Sequence, residues 1–395
     1  MATLQTTESQ IEQPLPRPVG GKCGEYSDGV GEHPADHSPL AELSVADRAL
    51  PFLILGAMVA GIAAGQFVPG FTAALTRLSI GGASLPIAAA LLWIMYPVFA
   101  GVRYRLLPQV ARDGRVVLLS VALIWLVAPA VMFALAWLLL PDLPEFRTGV
   151  ILVGLAPCIG MVLIWNLLAG GDNERATLLV VINSAIQILA LPLLAYFYLN
   201  ALPGWLGLDQ QSVNVSLWEI ARSVLVFVGV PLVAGAISYQ VGVRTLGEDG
   251  YRERYVARIA PTTLYGQLAA IAMLFALQGD RVTSAPLDIV RIATPLLAFF
   301  GIMWFLAFGV SWAARFSYPQ AATVAFTSSS NNFELAIAIA IGTFGTGSGE
   351  ALAGTVGPLI EIPVLVSLVY VSRWARRVLY ARPRTPSSTG GRAVS

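Results

Sequence analysis

Residues 149–172 read GVILVGLAPCIGMVLIWNLLAGGD. A helix needs about 20 apolar residues to cross a bilayer, and this stretch has the length. Pro157 and Gly160 nevertheless interrupt it near the middle, and Cys158 sits at the interruption. Proline lacks a backbone N–H and pushes the preceding residue out of helical geometry, so carbonyls are left without donors at membrane depth. Unwound backbone is tolerated there only where protein buries it or it lines a polar cavity. A broken helix carrying a soft nucleophile is therefore a candidate site. The competing reading is a kinked helix with a buried, inert cysteine.

The rest of the chain supports the membrane reading. Of its 395 residues 56% are hydrophobic and 12% charged, against about 25% charged in a soluble globular chain. That is too little charge to cover an aqueous surface, so the chain reads as a polytopic membrane protein embedded in lipid. A formal net charge of +1 gives no footing for nucleic acid. Two cysteines, Cys23 and Cys158, make no disulfide framework. Both histidines, His33 and His37, lie in the polar first 48 residues, so no histidine-based catalysis or metal site is available at membrane depth. Residues 1–48 are rich in Pro, Gly, Ser, Glu and Asp and read as a disordered tail. They lack the basic start and early apolar run of a secretory signal.

From residue 49 onward ten apolar segments follow: 49–69, 85–102, 116–140, 149–169, 176–199, 217–241, 259–277, 289–314, 321–344 and 351–371. Residues 200–216 read as an interfacial loop anchored by Trp205, and 381–395 as a basic tail. Arginine placement gives the orientation. Arg103, Arg105, Arg112 and Arg115 follow span two, Arg244, Arg252, Arg254 and Arg258 follow span six, and Arg373, Arg376, Arg377, Arg382 and Arg384 follow span ten. The opposite loops hold only Arg77, Arg147 and Arg281. By the positive-inside rule both termini are cytoplasmic, which suits a multi-pass protein of the cell membrane.

The chain also repeats itself. Phe99, Arg103, Pro108, Arg112 and Trp125 are echoed in order by Phe275, Arg281, Pro286, Arg291 and Trp304. Five spans per half make the repeats inverted, at 49–199 and 217–380, and such repeats place a substrate site between them near the midplane. The partner of broken span four is then span nine, AATVAFTSSSNNFELAIAIAIGTFG at 321–345, with Ser330, Asn331, Asn332 and Glu334 clustered mid-span. Hydroxyls, amides and a carboxyl at the bilayer centre are costly unless they face a cavity or pair internally. Glu334 suits a proton relay, and its competing reading is a structural carboxyl bonded to a neighbouring carbonyl. Asn331 and Glu334, three residues apart, share a face if the run is helical. Asn166, Asn183 and Gln187 add polar groups in spans four and five, and Glu361 is a second intramembrane carboxyl between Pro358 and Pro363.

These residues carry a resemblance. LLWIMYPVFAGVRY at 91–104, APCIGMVLIWN at 156–166 followed by GGD, SSSNNFELAIAIAIGTFG at 328–345 and GPLIEIPVLVSLVYV at 357–371 are similar to the arsenite permeases of the bile acid/arsenite/riboflavin transporter superfamily, the ACR-three family. The likeness covers 53–377 in order, while the tail before residue 49 is not part of that pattern. It implies an all-α fold of ten transmembrane helices in two inverted repeats, with helices four and nine broken and crossing. It also implies an essential cysteine at Cys158 and an essential glutamate at Glu334.

The chemistry of the residues agrees with that substrate. Arsenite at neutral pH is largely the uncharged trihydroxide, a small polyol-like molecule with a thiophilic centre, and thiolates prefer soft centres. One membrane cysteine allows a single As–S bond, hence release on the transport timescale. Pro157 and Cys158, with Asn166, Ser330, Asn331 and Asn332, are the expected substrate groups, Glu334 the proton-coupling group, and Asn183, Gln187 and Glu361 the supporting polar groups. The expected activity is efflux of arsenite, with antimonite a candidate second substrate, by proton antiport and alternating access, and no cofactor is called for. The alternative is a sodium-coupled organic-anion transporter of the same superfamily. A receptor is disfavoured because the tail has no apparent fold. An enzyme is disfavoured because Cys158 has no histidine to activate it.

Overall fold

The computed structural model describes residues 45–80, 83–102, 104–105, 114–208, 217–284, 286–345 and 347–380. The tail with Cys23, His33 and His37, the basic segment from 381, the stretch 209–216, and Arg103, Pro108 and Arg112 lie outside the described residues. Apart from a hairpin of two-residue strands, β1 Ser79–Ile80 and β2 Ala83–Ser84, every described element is helical. Hydrocarbon cannot hydrogen-bond backbone, so a segment that crosses it must satisfy its own N–H and C=O groups.

The helices in order are α1 Val45–Phe67, α2 Phe71–Arg77, α3 Leu85–Ala100, α4 Gly114–Leu139, α5 Pro144–Leu155, α6 Met161–Ala169 and α7 Asn173–Trp205. They continue with α8 over 217–250, α9 Thr262–Ser284, α10 Pro286–Ala313, α11 Tyr318–Ser329, α12 Phe333–Phe344 and α13 Gly349–Leu379. Among the described residues five continuous helical stretches are long and apolar enough to cross a bilayer. The pair α1–α2, bent by 96°, makes a sixth. One of the five, Leu217–Gly279, is not a single rod. Gly247, at φ 73° and ψ 170°, breaks it in a conformation that suits glycine, and α8 and α9 both pack against α3.

Sequence and structure differ at the end of span five. The helix does not stop near residue 200 but runs to Trp205, through a widened π turn at Phe197–Ala201. That turn makes its hydrogen bonds one residue further along, so Pro203 just beyond it continues the helix without a clash. Trp205 remains largely exposed and meets Phe197 edge to face.

The helices pack as two groups. In the first, α1 lies along α9, and α3 packs against α8 and α9. Gly61 and Gly65 let α1 approach α9 closely: a Cβ at Gly61 would sit 2.9 Å from the Cα of Ala272, and Gly65 meets Ala276 in the same way. Small residues four apart make close helix packing available where no hydrophobic driving force separates helix from lipid. The second group joins α4, α5 and α6 to α10, α11, α12 and α13, with α7 alongside α6 and α11. The first segment of α8, Leu217–Val224, leans on α7 and α12 of the second group.

Candidate functional site

The two interrupted helices meet at their interruptions. Pro157 holds Ala156 in an extended conformation, φ −106° and ψ 99°, and α5 ends at Leu155. No proline ends α11. Within the polar run Thr327 and Ser329 bond back to the carbonyls of Thr323 and Ala325, four residues earlier, and at Ser330 the chain turns extended, φ −101° and ψ 138°. Asn332 then caps α12, its side-chain oxygen accepting the Leu335 N–H at 3.0 Å.

The extended pieces pair antiparallel, Pro157 opposite Asn331. The Cys158 N–H donates to the Ser330 carbonyl at 3.1 Å, and the Asn332 N–H to the Ala156 carbonyl at 2.7 Å. Each break thus supplies hydrogen bonds that the other lacks. The Asn331 amide donates to the Val153 carbonyl at 2.7 Å. That carbonyl is the one whose helical donor would have been the N–H that Pro157 does not have. The Ser330 hydroxyl donates to Oε1 of buried Glu361 at 2.6 Å, tying the second break to α13.

Beside the crossing lies a cavity of about 640 Å³ between the two helix groups. Its second-group wall carries Cys158, Met161, Asn332 and Glu334, and α7 adds Thr177. The first-group wall is mostly apolar, from α3 and α9, with Met95 and Gln267 among its residues. The cavity reaches Val102, Val256 and Pro261, which flank the two arginine-rich connections after α3 and α8. Cys158 is a free thiol, 8% exposed. Glu334 is half-buried in the first turn of α12 and faces the same space.

The expected site residues therefore separate. Cys158, Asn332 and Glu334 line the cavity, while Pro157, Ser330, Asn331 and Glu361 build the crossing around it. Asn331 and Glu334 do not share a helical face, because Asn331 lies in the extended break and the helix begins only at Phe333. Asn166, expected among the substrate groups, is fully buried and does not reach the cavity. Its amide donates to Asn173 at 2.8 Å and its oxygen accepts the Thr323 hydroxyl at 2.8 Å, within a polar knot at the end of α6. Thr323 also accepts the Asp172 N–H, and Tyr318 and Arg373 donate to the last carbonyls of α6.

Asn183 is likewise engaged, accepting the Trp125 indole N–H at 3.0 Å beside a π turn in α4. Gln187 is fully buried, and neither of its amide atoms has a hydrogen-bond partner among the described residues. Sequence reasoning missed Met95, Met161 and Gln267. The last of these carries the same signal as Asn183, an amide inside an apolar span. The methionines carry none, since methionine is ordinary in any core.

Known proteins match this chain along most of its length. A family model described as the sodium bile acid symporter family matches residues 88–285. The Acr3 arsenical-resistance protein of Corynebacterium glutamicum is 47% identical over 349 residues, 88% of this chain and 94% of that protein. This chain belongs to the sodium bile acid symporter family. Within that family it stands with the Acr3 proteins, the matched stretch being long enough to hold both breaks. An uncharacterised transporter of Synechocystis is 30% identical over 363 residues, 87% of this chain and 92% of that protein. The Acr3 protein of Alkaliphilus metalliredigens is 29% identical over 342 residues, 84% of this chain and 93% of that protein. The family model spans the first break and stops before the second, so the pairing of Pro157 with Asn331 reaches beyond it.

Proposed function

We propose that the chain is an arsenite efflux permease of the cell membrane, a secondary transporter that exchanges the neutral trihydroxide for protons. The carrying observation is the meeting of one thiol, one amide and one carboxyl, Cys158, Asn332 and Glu334, on one cavity wall at the crossing. The 47% identical arsenical-resistance protein supports the substrate. The helix order supports ten spans in two inverted repeats. α1, α3, α4, the pair α5–α6 and α7 form the first repeat, and α8, α9, α10, the pair α11–α12 and α13 the second. The leading halves of both broken spans have 12 residues and a proline in the first turn.

Cys158 takes the arsenic by exchange. The S–H bond and one As–O bond break, an S–As bond forms, and the proton leaves with the hydroxyl as water. The reverse step releases the trihydroxide. A single thiol keeps the bond reversible, and the starts of α6 and α12 at the crossing offer N–H donors to the remaining oxygens. Glu334 carries the coupled proton. With both termini cytoplasmic, the cavity's reach towards the arginine-rich connections makes this the inward-facing state, and movement of one helix group against the other turns the site outward. Antimonite, with the same soft centre, is a second substrate in this scheme.

One observation favours a second reading. A cavity of about 640 Å³ with mostly apolar walls exceeds what a trihydroxide fills, and its size suits a larger organic anion moved with sodium. Uptake of arsenite into everted vesicles, with and without a proton gradient, separates the two. Accumulation that follows the proton gradient is expected. Loss of transport when choline replaces sodium would favour the organic-anion branch, and no accumulation under any ion gradient would overturn the assignment.

A further inference from the structure

Among the described residues two hydrogen bonds cross between the helix groups at the cavity, and both run from an amide to a thioether. The Asn332 Nδ2 of the second group donates to Met95 Sδ of the first at 3.9 Å. The Gln267 Nε2 of the first group donates to Met161 Sδ of the second at 3.7 Å. Thioether sulfur is a weak acceptor. Asn332 has other work, since its oxygen caps α12. Gln267 has none: it is 7% exposed, lines the cavity, and its carbonyl oxygen makes no hydrogen bond among the described residues. An amide whose N–H meets one weak acceptor and whose oxygen opens on the cavity has bonding capacity left for a ligand.

Gln267 stands on the wall opposite the thiol, beside Met161 in the first turn of α6, just past Cys158. An amide both donates and accepts, so it can bond an As–OH group in either sense. Exchanging a thioether for a hydroxyl oxygen improves the donor's partner, and the free carbonyl gains a donor. Resting on the arsenite reading above, we propose that Gln267 is a substrate-binding and specificity-determining residue for a small polyhydroxylated species, parked on Met161 until substrate enters. It gives the otherwise apolar first-group wall a polar contact with a molecule whose arsenic is held by Cys158 on the second. A site built to bond hydroxyls rejects analogues that lack them more strongly than an apolar pocket rejects a methyl group.

The test uses full-length protein with Gln267→Leu and Met161→Leu. Protection of Cys158 from maleimide alkylation by arsenite in detergent gives affinity, and uptake into everted vesicles gives KM and maximal rate. An unchanged alkylation rate without arsenite reports an intact fold. Gln267→Leu is expected to raise both the protecting concentration and KM by about tenfold, one hydrogen bond's worth, with the maximal rate retained. The loss should shrink for monomethylated and again for dimethylated trivalent arsenicals, which carry fewer hydroxyls. Met161→Leu should lower KM, because it removes the acceptor that competes with substrate for the Gln267 amide. The proposal is overturned if Gln267→Leu stays within about twofold of wild type. It is equally overturned if Met161→Leu raises KM as much, since a packing role would make the two alike. Wild-type vesicles that take up no arsenite would remove the reading on which it rests, and the proposal with it.

Discussion

The crossing of the two broken helices and the knot at the end of α6 are made of similar residues, asparagines and hydroxyls. At the knot they are spent on one another. Asn166, Thr323, Asn173 and the Asp172 backbone close a ring of hydrogen bonds, and Asn166 has no exposed surface. At the crossing the backbone is paired, yet Cys158 and Glu334 face open space. Polarity inside a span therefore marks either a weld or a site, and the partners tell which. A group with its bonds filled holds helices together, and one that borders a cavity with bonding capacity left is free for a ligand.

The largest expected effect lies at the crossing. Cys158→Ser should bring arsenite transport to background while the protein still inserts, since serine is close in shape but not soft. Transport near the wild-type rate would place the thiol among the inert cysteines and erase the contrast with the knot. Glu334→Gln should come next. It keeps a hydrogen-bonding group but cannot titrate, so gradient-driven accumulation should be lost while arsenite binding and exchange across the vesicle membrane persist. Wild-type pumping with unaltered pH dependence would move the coupling role elsewhere, to Glu361 first.

The knot should respond in stability instead. Asn166→Ala removes the bonds to Thr323 and Asn173; Thr323 keeps the Pro319 carbonyl as acceptor and Asn173 is exposed, so the cost should be about 1 kcal/mol, a net hydrogen bond's worth. That would be read as a lower thermal midpoint in detergent, with the KM of the folded fraction unchanged. A raised KM at an unchanged midpoint would return Asn166 to the substrate groups. The smallest effect belongs to an exposed pair outside both regions, Asp142 between α4 and α5 with Arg291 of α10. The Arg291 guanidinium, hydrogen-bonded to Asp142, holds that carboxyl below its usual range. Its contribution is thus present above the unfolded pKa and lost as pH falls through the lower folded one. Asp142→Asn should lower the midpoint slightly at neutral pH, by an amount that fades in acid and in high salt.

Much of this was legible in the chain. Low charge and long apolar runs gave the membrane class, and a proline or a polar run inside a span marked where each helix breaks. Those signals are local: Pro157 acts on Ala156 whatever surrounds it, and any polar run in hydrocarbon must find partners. Other assignments needed neighbours. The sequence put Asn166 with the substrate groups because it is an amide in a broken apolar segment, as Asn332 is, and residue type alone does not separate the two. It put Asn331 and Glu334 on one face by assuming helix where the chain is extended. It passed over Gln267, Met95 and Met161 because their meaning lies in facing one another across a seam between helices far apart in the chain.

By itself, then, the sequence determined that this is a helical membrane protein whose fourth and ninth apolar segments are interrupted around Cys158 and the Ser330–Glu334 run. Backbone chemistry and transfer from water to lipid act within a few residues and need no fold. Only the tertiary structure decided that the two breaks pair with each other. It alone showed that the Asn331 amide takes the place at the Val153 carbonyl that Pro157 cannot fill, and that Asn166 is bonded away while Glu334 lines the cavity. A hydrogen bond is satisfied or left open by what lies within about 3 Å in space, and the chain's order does not state that distance.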